Sequence, residues 1–312
     1  MISELTILKY VSAAEPAGRF KVASYEKAIK RLKTLGPITC EADIPDGFGA
    51  EVRKKLIKIL DEGSLEIPAA LRVKGAALSI FMNIYGIGPK KAEDLFAEGY
   101  TTLEDLRDAL AADTKLLNKN QKIGLTYYEQ LLERIPRAEM DEHAALLMAA
   151  KPKALEGVIV GSYRRGAANS GDIDMLVRTA SAAIDAAASL TAFVTSLKAS
   201  GYIKEVLAHG DHKCMAICQL PGATARRLDL LVTPPSEFPF AVHYFTGCDT
   251  FNVAVRSHAL TKGYTLNEHG LVRVSTGTPV EGIKVEKDIF TVLKLAWKEP
   301  TERTGPDAVV PL

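Results

Sequence analysis

Residues 161–176 read GSYRRGAANSGDIDML, and the end of that stretch decides the fold of everything around it. Asp172 and Asp174 are two apart in a β-type run, so in a strand they share one face while Ile173, Met175 and Val177 take the other. Two carboxylates side by side repel, which either raises a pKa or calls for a cation, and hard oxygen donors at this spacing suit Mg²⁺ shared with substrate phosphates. A third carboxylate, Asp229, stands in RRLDLLVT (226–233) among Leu228, Leu230, Leu231 and Val232, where an unpaired charge is costly. Asp172, Asp174 and Asp229 together make a two-metal site suited to in-line displacement at phosphorus. The preceding loop offers what a triphosphate needs: Gly161-Ser162 for a tight turn and a hydroxyl, Arg164 and Arg165 for multidentate contacts, and Ser170-Gly171 for close backbone approach. Taken alone, D-x-D also fits a solvated strand end. The joint pattern G-S-x-R-R-G-x-x-x-S-G-D-x-D is too specific for that reading.

Outward from this stretch, VIVGSY (158–163), DIDMLVRT (172–179), KCMAICQL (213–220) and RRLDLLVT read as short strands, with a helical interval SLTAFVTSLKASG (189–201) between them. That mixture predicts an α+β sheet domain beginning near residue 155. Everything before it is helical. SYEKAIKRLKTLG (24–36) puts Ala28, Ile29, Leu32 and Leu35 on one face, and GAEVRKKLIKILDEG (49–63) does the same with Val52, Leu56, Ile59 and Leu60, ending at Gly63. Between 76 and 150, AEDLFAEG, LEDLRDALA, TYYEQLLERI and MDEHAALLMAA continue the helical pattern, with stops at Gly99 and Pro136. After Pro234 and Pro235 a smaller mixed region follows.

One short repeat carries meaning. Gly47-Phe48-Gly49 and Gly86-Ile87-Gly88 each open an amphipathic helix with basic residues in or just beyond its first turn, Arg53, Lys54 and Lys55 in one, Lys90 and Lys91 in the other. Glycines there allow positive φ and let backbone N–H groups face a phosphate. Two such hairpins grip phosphates without reading sequence. A single G-x-G before a helix is commonly just a tight turn; two with basic helices favour the phosphate reading.

Composition narrows the class further. At 312 residues, 47% apolar and 25% charged, the chain buries a core without staples. Lys and Arg total 39 against 38 Asp and Glu, so a nucleic-acid partner has to be argued from local clusters. No stretch approaches 18 uncharged apolar residues, and Glu4 and Lys9 fall where a secretory signal needs an apolar core, so no membrane or secretory role is expected. Four cysteines, Cys40, Cys214, Cys218 and Cys248, are too scattered for a disulfide framework. His209, His212, Cys214 and Cys218 invite a zinc reading, but their spacing fits neither common pattern, and Cys214 and Cys218 are expected as core thiols of a buried strand.

The sequence resembles the family X DNA polymerases, the DNA polymerase beta family, through GSYRRGAANSGDIDML, RRLDLL, HYFTGCDTFNVAVRSHALTKGYTLNEHGL (243–271) and VEKDIFTVLKLAWKEP (285–300). LNKNQKIGLTYYEQLLERIPRAEM, YGIGPKKAEDL and both hairpins extend it over almost the whole chain. The resemblance implies template-directed filling of short DNA gaps, as in base excision repair, on gapped or nicked DNA with deoxynucleoside triphosphates. It makes Asp172, Asp174 and Asp229 the carboxylates for two Mg²⁺ ions, with Mn²⁺ as a substitute, and Asp229 the base for the primer 3′-hydroxyl. Ser162, Arg165 and Gly171 match triphosphate contacts. Tyr244, Phe245, Thr246 and Gly247 are placed against the sugar, Asp249 and Asn252 near the base, Arg227 and Arg256 on DNA, and Glu268 as the organiser of Arg256. The hairpin glycines Gly47, Gly49, Gly86 and Gly88, with Lys90, become DNA contacts, with a monovalent cation at the hairpins.

The same resemblance implies a lyase-like domain over 1–75 and a polymerase domain over 76–312, divided at 136 and 235 into a DNA-binding subdomain, a palm and a nucleotide-selecting subdomain. Lys55 matches the Schiff-base lysine of a 5′-deoxyribose phosphate lyase, with Lys21 and Tyr25 lining the 5′-phosphate pocket. On a helical wheel Lys55 flanks the apolar stripe and Lys54 points away from it; partial burial beside Arg53 and Lys58 favours a neutral amine at Lys55. Three departures stand out. Ala50-Glu51 replaces a Thr-Lys pair, so a phosphate-pocket cation gives way to a carboxylate. Leu231 stands where the family has an arginine that pairs with a metal-site aspartate in the open form, so that off-state pairing is expected to be absent. Val253 replaces a lysine beside the templating base. A monomeric, nuclear enzyme is the expectation, other DNA-containing compartments and a viral origin remaining open. Two rivals, a template-independent nucleotidyltransferase and a non-catalytic DNA-end scaffold, leave the hairpins or the carboxylates respectively without a purpose.

Overall fold

The computed structural model describes every residue except 14, 16, 34 and 113. The chain forms an α+β protein of two compact units, Met1–Tyr128 and Glu129–Leu312. The first unit is helical: α1 (Ile2–Ala13), α2 (Arg19–Leu32), α3 (Ala50–Glu62), α4 (Ala69–Phe81), α5 (Pro89–Ala97), α6 (Leu103–Ala112) and α7 (Lys119–Thr126). Of the segment expected to be helical over 24–36, the helix proper ends at Leu32, and Thr34 lies outside the described residues.

Two cores serve this unit. Leu5, Tyr25, Ala28, Leu32, Val52 and Leu56 form one, and Leu78, Phe81, Ile84, Leu95, Leu106 and Leu125 the other. The stripe Val52, Leu56 and Ile59 is buried as its spacing demands, and α3 stops at Gly63, whose φ of 79° is the left-handed turn that glycine adopts without strain. The two G-x-G hairpins repeat one conformation. In each the first glycine is left-handed (Gly47 φ 93°, Gly86 φ 83°), and the second, extended, caps a helix, Gly49 for α3 and Gly88 for α5.

The second unit holds the sheet. After α8 (Tyr128–Leu132), which begins at the division, come β1 (Ile135–Pro136), α9 (Arg137–Ala150), β2 (Leu155–Ile159), α10 (Gly161–Arg164), β3 (Asn169–Ser170) and β4 (Ile173–Thr179). They continue with α11 (Ala186–Ala199), β5 (Ile203–His209), β6 (Lys213–Cys218) and β7 (Arg226–Thr233), then α12 (Phe238–Thr246), α13 (Asp249–Thr261), β8 (Tyr264–Leu266), β9 (Leu271–Arg273) and α14 (Glu286–Val292). The five-stranded sheet runs β2-β4-β7-β6-β5, with β4 and β7 parallel and the other neighbours antiparallel.

Period 2 sorts the strands as expected. Ile173, Met175, Val177, Leu228, Leu230 and Val232 pack with Leu190, Phe193 and Leu197 of α11, while Leu176 and Leu231 meet Val160, Ala241 and Val242 on the opposite face. Two expectations change, and one strand is new. VIVGSY is not strand throughout: Gly161 has φ 61°, which turns the chain out of β2 and into α10. TYYEQLLERI is broken between α7 and α8 rather than one helix. β5, beside β6 at the sheet edge, carried too weak an alternation to be read in advance. Among the described residues no helix is long and apolar enough to cross a membrane.

Candidate active site

The carboxylates meet because of strand register. In the parallel β4–β7 pair Asp174 and Asp229 are direct partners, so both side chains share the face that also carries Leu176 and Leu231, and Asp172 lies one pleat before Asp174. Asp229 is nearly enclosed, and its Oδ1 has no hydrogen-bond partner among the described residues. Burial, then the nearby Asp229 charge, pushes the Asp174 carboxyl up to about 6. Gly161 is needed against this pair, since a Cβ there would run into the Asp174 carboxylate. One buried carboxylate with an orphaned oxygen beside two part-buried ones supplies hard oxygen donors of the kind that suit Mg²⁺, although among the described residues the three do not converge into a ready-made three-ligand group.

A cavity of about 730 Å³ opens over Asp172 and Asp174, and its wall includes Ser162, Arg165, Gly171, Tyr244, Phe245, Gly247, Asp249, Asn252 and Arg256. The side chain of Ser162 donates to Ser170 (2.9 Å), and Arg165 donates through Nη1 to the carbonyl of Thr246 (2.6 Å), which holds both at the cavity mouth. Tyr244 and Phe245 meet edge to face at 5.1 Å, and Asn252 donates to the Tyr244 carbonyl (2.7 Å) from the first turn of α13. Gly247 has φ 68°, and a Cβ there would stand 3.2 Å from Arg165 Nη1. Cys248 and Val253 also line the cavity, the latter two-thirds exposed.

Not every residue singled out from sequence faces this cavity. Arg164 points away from it: it forms a fork on Glu286 (3.0 Å through each of Nη1 and Nη2) and donates to Thr246 Oγ1 (2.5 Å). Thr246 is fully buried and holds these arginines rather than lining the cavity. Glu286 also accepts from the buried Arg303, with His243 Nδ1 at 3.6 Å. Burial opposes ionisation of Glu286, yet His243, Arg303 and Arg164 outweigh it and hold its carboxyl down at about 2. Among the described residues Glu268 makes no ion pair with Arg256; it lies 4.0 Å from His269, and Arg256 is exposed.

The pairing expected to be absent at position 231 is absent, but other cations reach the carboxylates. Leu231 is indeed apolar core, but Arg227 ion-pairs with Asp172 and lies 4.0 Å from Asp229, and Lys213 Nζ is 2.7 Å from Asp229 Oδ2. Arg227, expected on DNA, is thus engaged by the carboxylates in this structure. Arg134 was missed by sequence reasoning. It lines the cavity and is anchored on Asn169 (2.8 Å to Oδ1, 3.0 Å to the carbonyl). Its signal, a basic residue just before a strand that pairs with the Asn169-Ser170 loop, appears only once β1 and β3 are paired.

Cys214 and Cys218 are buried in the sheet core, and burial pushes their thiols up to about 11 and about 12, as core thiols require. In the helical unit, on α3, Lys54 is exposed, whereas Lys55 is about 30% exposed; Glu51 pairs with both, at 3.5 Å and 3.9 Å. Tyr25 is buried against the first core, and Lys21 pairs with Glu15 at 2.9 Å. Lys90 is exposed on the first turn of α5 behind Gly88.

A sheet that sets paired aspartates beneath an arginine-lined cavity defines the class: a nucleotidyltransferase-type palm. Comparison then narrows it. Residues 134–235 match the DNA polymerase beta palm, 241–304 the DNA polymerase beta thumb and 79–132 the fingers domain of DNA polymerase lambda. DNA polymerase lambda from Rattus norvegicus is 35% identical over 307 residues, covering 91% of this chain and 52% of that protein, and DNA polymerase lambda from Arabidopsis thaliana is 32% identical over 282 residues, covering 82% and 52%. The chain belongs to the family X DNA polymerases and spans about half the length of these relatives.

Proposed function

We propose that the protein is a DNA-directed DNA polymerase that fills short gaps during repair. The observation that carries this reading is the register pairing of the buried Asp229 with Asp174, which lines the cavity together with Asp172, Arg165 and Arg134. Asp172, Asp174 and Asp229 would hold two divalent ions, Mg²⁺ or Mn²⁺. When bound, such ions offset the charge that develops at phosphorus and on the departing pyrophosphate. Arg165, Arg134, the Ser162 hydroxyl and the Gly171 backbone bind the triphosphate and orient its α-phosphate in line with the primer terminus. The Asp229 carboxylate accepts the proton of the primer 3′-hydroxyl; the 3′-oxygen bonds to the α-phosphorus as the bond from that phosphorus to the bridging oxygen breaks, and pyrophosphate leaves. Tyr244, Phe245 and Gly247 leave little room for a 2′-hydroxyl, which favours deoxynucleotides. Asp249 and Asn252 stand near the base, and Arg256 reaches the template minor groove, where acceptors are common to all base pairs.

The helical unit binds DNA phosphates through the Gly47–Gly49 and Gly86–Gly88 hairpins, with a monovalent cation at the turns. The half-buried Lys55 supports a 5′-deoxyribose phosphate lyase step, Lys21 and Tyr25 facing the 5′-phosphate. Primer extension separates the alternatives: extension on a gapped duplex, lost in Asp229→Ala while gapped DNA still binds, is the expected result. Incorporation by that variant within tenfold of wild type removes Asp229 from the mechanism. Equal extension of a lone primer makes the protein a template-independent transferase.

A further inference from the structure

The cavity beside β6 and the end of β7 holds a charge that the proposed reaction does not use. Lys213 opens β6, directly across from Leu231 of β7, and its ammonium crosses to Asp229 Oδ2 at 2.7 Å while its side chain remains 43% exposed. Arg227 occupies Asp172 in the same manner. Two of the three site carboxylates are therefore matched by the chain's own cations, and Asp174 alone lacks an ion pair among the described residues.

We propose that Lys213 is an internal competitor for the divalent-ion site: its ammonium holds Asp229 until an ion displaces it, and so weakens the carboxylates' uptake of metal. The inference rests on the reading of Asp172, Asp174 and Asp229 as metal ligands. A divalent ion on Asp229 Oδ2 repels an ammonium held at contact distance on the same oxygen by more than that ammonium gains from the carboxylate, while the ion's own attraction exceeds the repulsion, so the ion displaces the lysine. The pair is not a structural necessity. Lys213 is backed by a second cavity of about 300 Å³, lined by Leu231, Phe245, Glu237, Glu268 and His269. A displaced ammonium has this largely apolar cavity beside it, with the carboxylates of Glu237 and Glu268 in its wall, Glu237 being already paired with His269 at 2.7 Å. Phe245 walls this cavity and the nucleotide cavity alike, so the position of Lys213 is coupled by packing to the sugar-facing wall. The arrangement also accounts for Leu231: with a lysine on β6 masking Asp229, an arginine at position 231 is not needed to quiet the empty site.

The test is Mn²⁺ binding to the full chain without DNA or nucleotide, read from loss of the free-ion paramagnetic resonance signal. Lys213→Met and Lys213→Gln are expected to bind Mn²⁺ about tenfold more tightly than wild type, and Lys213→Arg, which keeps a cation, is not. In EDTA the Met and Gln variants should melt lower than wild type, and Mn²⁺ should raise their melting temperature by more. Unchanged or weaker Mn²⁺ binding in both neutral variants overturns the proposal; so does a loss of gapped-DNA affinity with Mn²⁺ binding unchanged, which makes Lys213 a DNA contact. Asp174→Asn separates the two levels: if it binds Mn²⁺ as wild type does, the metal-site reading itself fails and takes this inference with it. If it loses Mn²⁺ while the Lys213 variants match wild type, only the competitor role fails.

Discussion

Replacing Glu286 with Gln perturbs the most heavily buried charge cluster in the sheet-bearing unit. Glu286 accepts from Arg164 and Arg303, and Arg303 is 1% exposed, its remaining donors bonded to the Lys298 carbonyl (3.1 Å and 3.0 Å). Removing the one carboxylate leaves two guanidinium charges with no anion, a change that typically costs about 3–5 kcal/mol. Linkage gives an independent figure. The Glu286 carboxyl is depressed from 4.5 to about 2, and at 1.36 kcal/mol per pKa unit that is about 3 kcal/mol. Because the folded value is the lower one, this stability is present in full above pH 4.5 and is lost as the pH falls towards 2. Trp297, the chain's single tryptophan, lies 5.1 Å from the Arg303 guanidinium, so urea unfolding followed by its fluorescence reports on this unit. The expected outcome is a loss of about 3 kcal/mol at pH 7 in Glu286→Gln, and an acid slope between pH 5 and 2 shallower than in wild type. Since Arg164 and Arg165 converge on Thr246, nucleotide affinity should fall as well. A loss under about 1 kcal/mol together with an unchanged acid slope would refute the argument.

Gly161→Ala should cost about 1–2 kcal/mol for its left-handed φ and should lower incorporation at least tenfold by displacing the Asp174 carboxylate; wild-type incorporation would show that the carboxylate has room to move. Replacing Lys90 and Lys91 with Ala should reduce the slope of log affinity against log salt for gapped DNA by about 0.9 for each phosphate no longer neutralised, and an unchanged slope removes the second hairpin from the DNA interface. Borohydride should trap a Lys55 adduct on DNA bearing a 5′-deoxyribose phosphate, and Glu51→Lys should increase the yield at neutral pH by replacing the carboxylate 3.9 Å from that amine with a cation; trapping that survives Lys55→Ala assigns the nucleophile elsewhere.

How much of this was readable from the sequence depended on the range of each interaction. Period 2 put Asp172 and Asp174 on one face, and the hairpin glycines showed their turns, because such features are settled by neighbours a few residues apart. The apolar stripe of α3 and the buried Cys214 and Cys218 belong to the same group: side-chain periodicity alone assigned them to the core. Strand order and register were not written locally. Asp174 meets Asp229 across 55 positions only because β7 inserts between β4 and β6 and runs parallel to β4. The cations lay beyond that again. Arg164 looked like a phosphate ligand beside Arg165, but one residue along a tight helical turn rotates a side chain by about 100°, and that rotation turned it onto Glu286, 122 positions away. Lys213 is an unremarkable strand-end lysine in the sequence, and Arg134 an ordinary basic residue ahead of Pro136. Tertiary packing made one the partner of Asp229 and the other a wall of the nucleotide cavity, because charges find their counterparts across strands whose pairing no local pattern encodes.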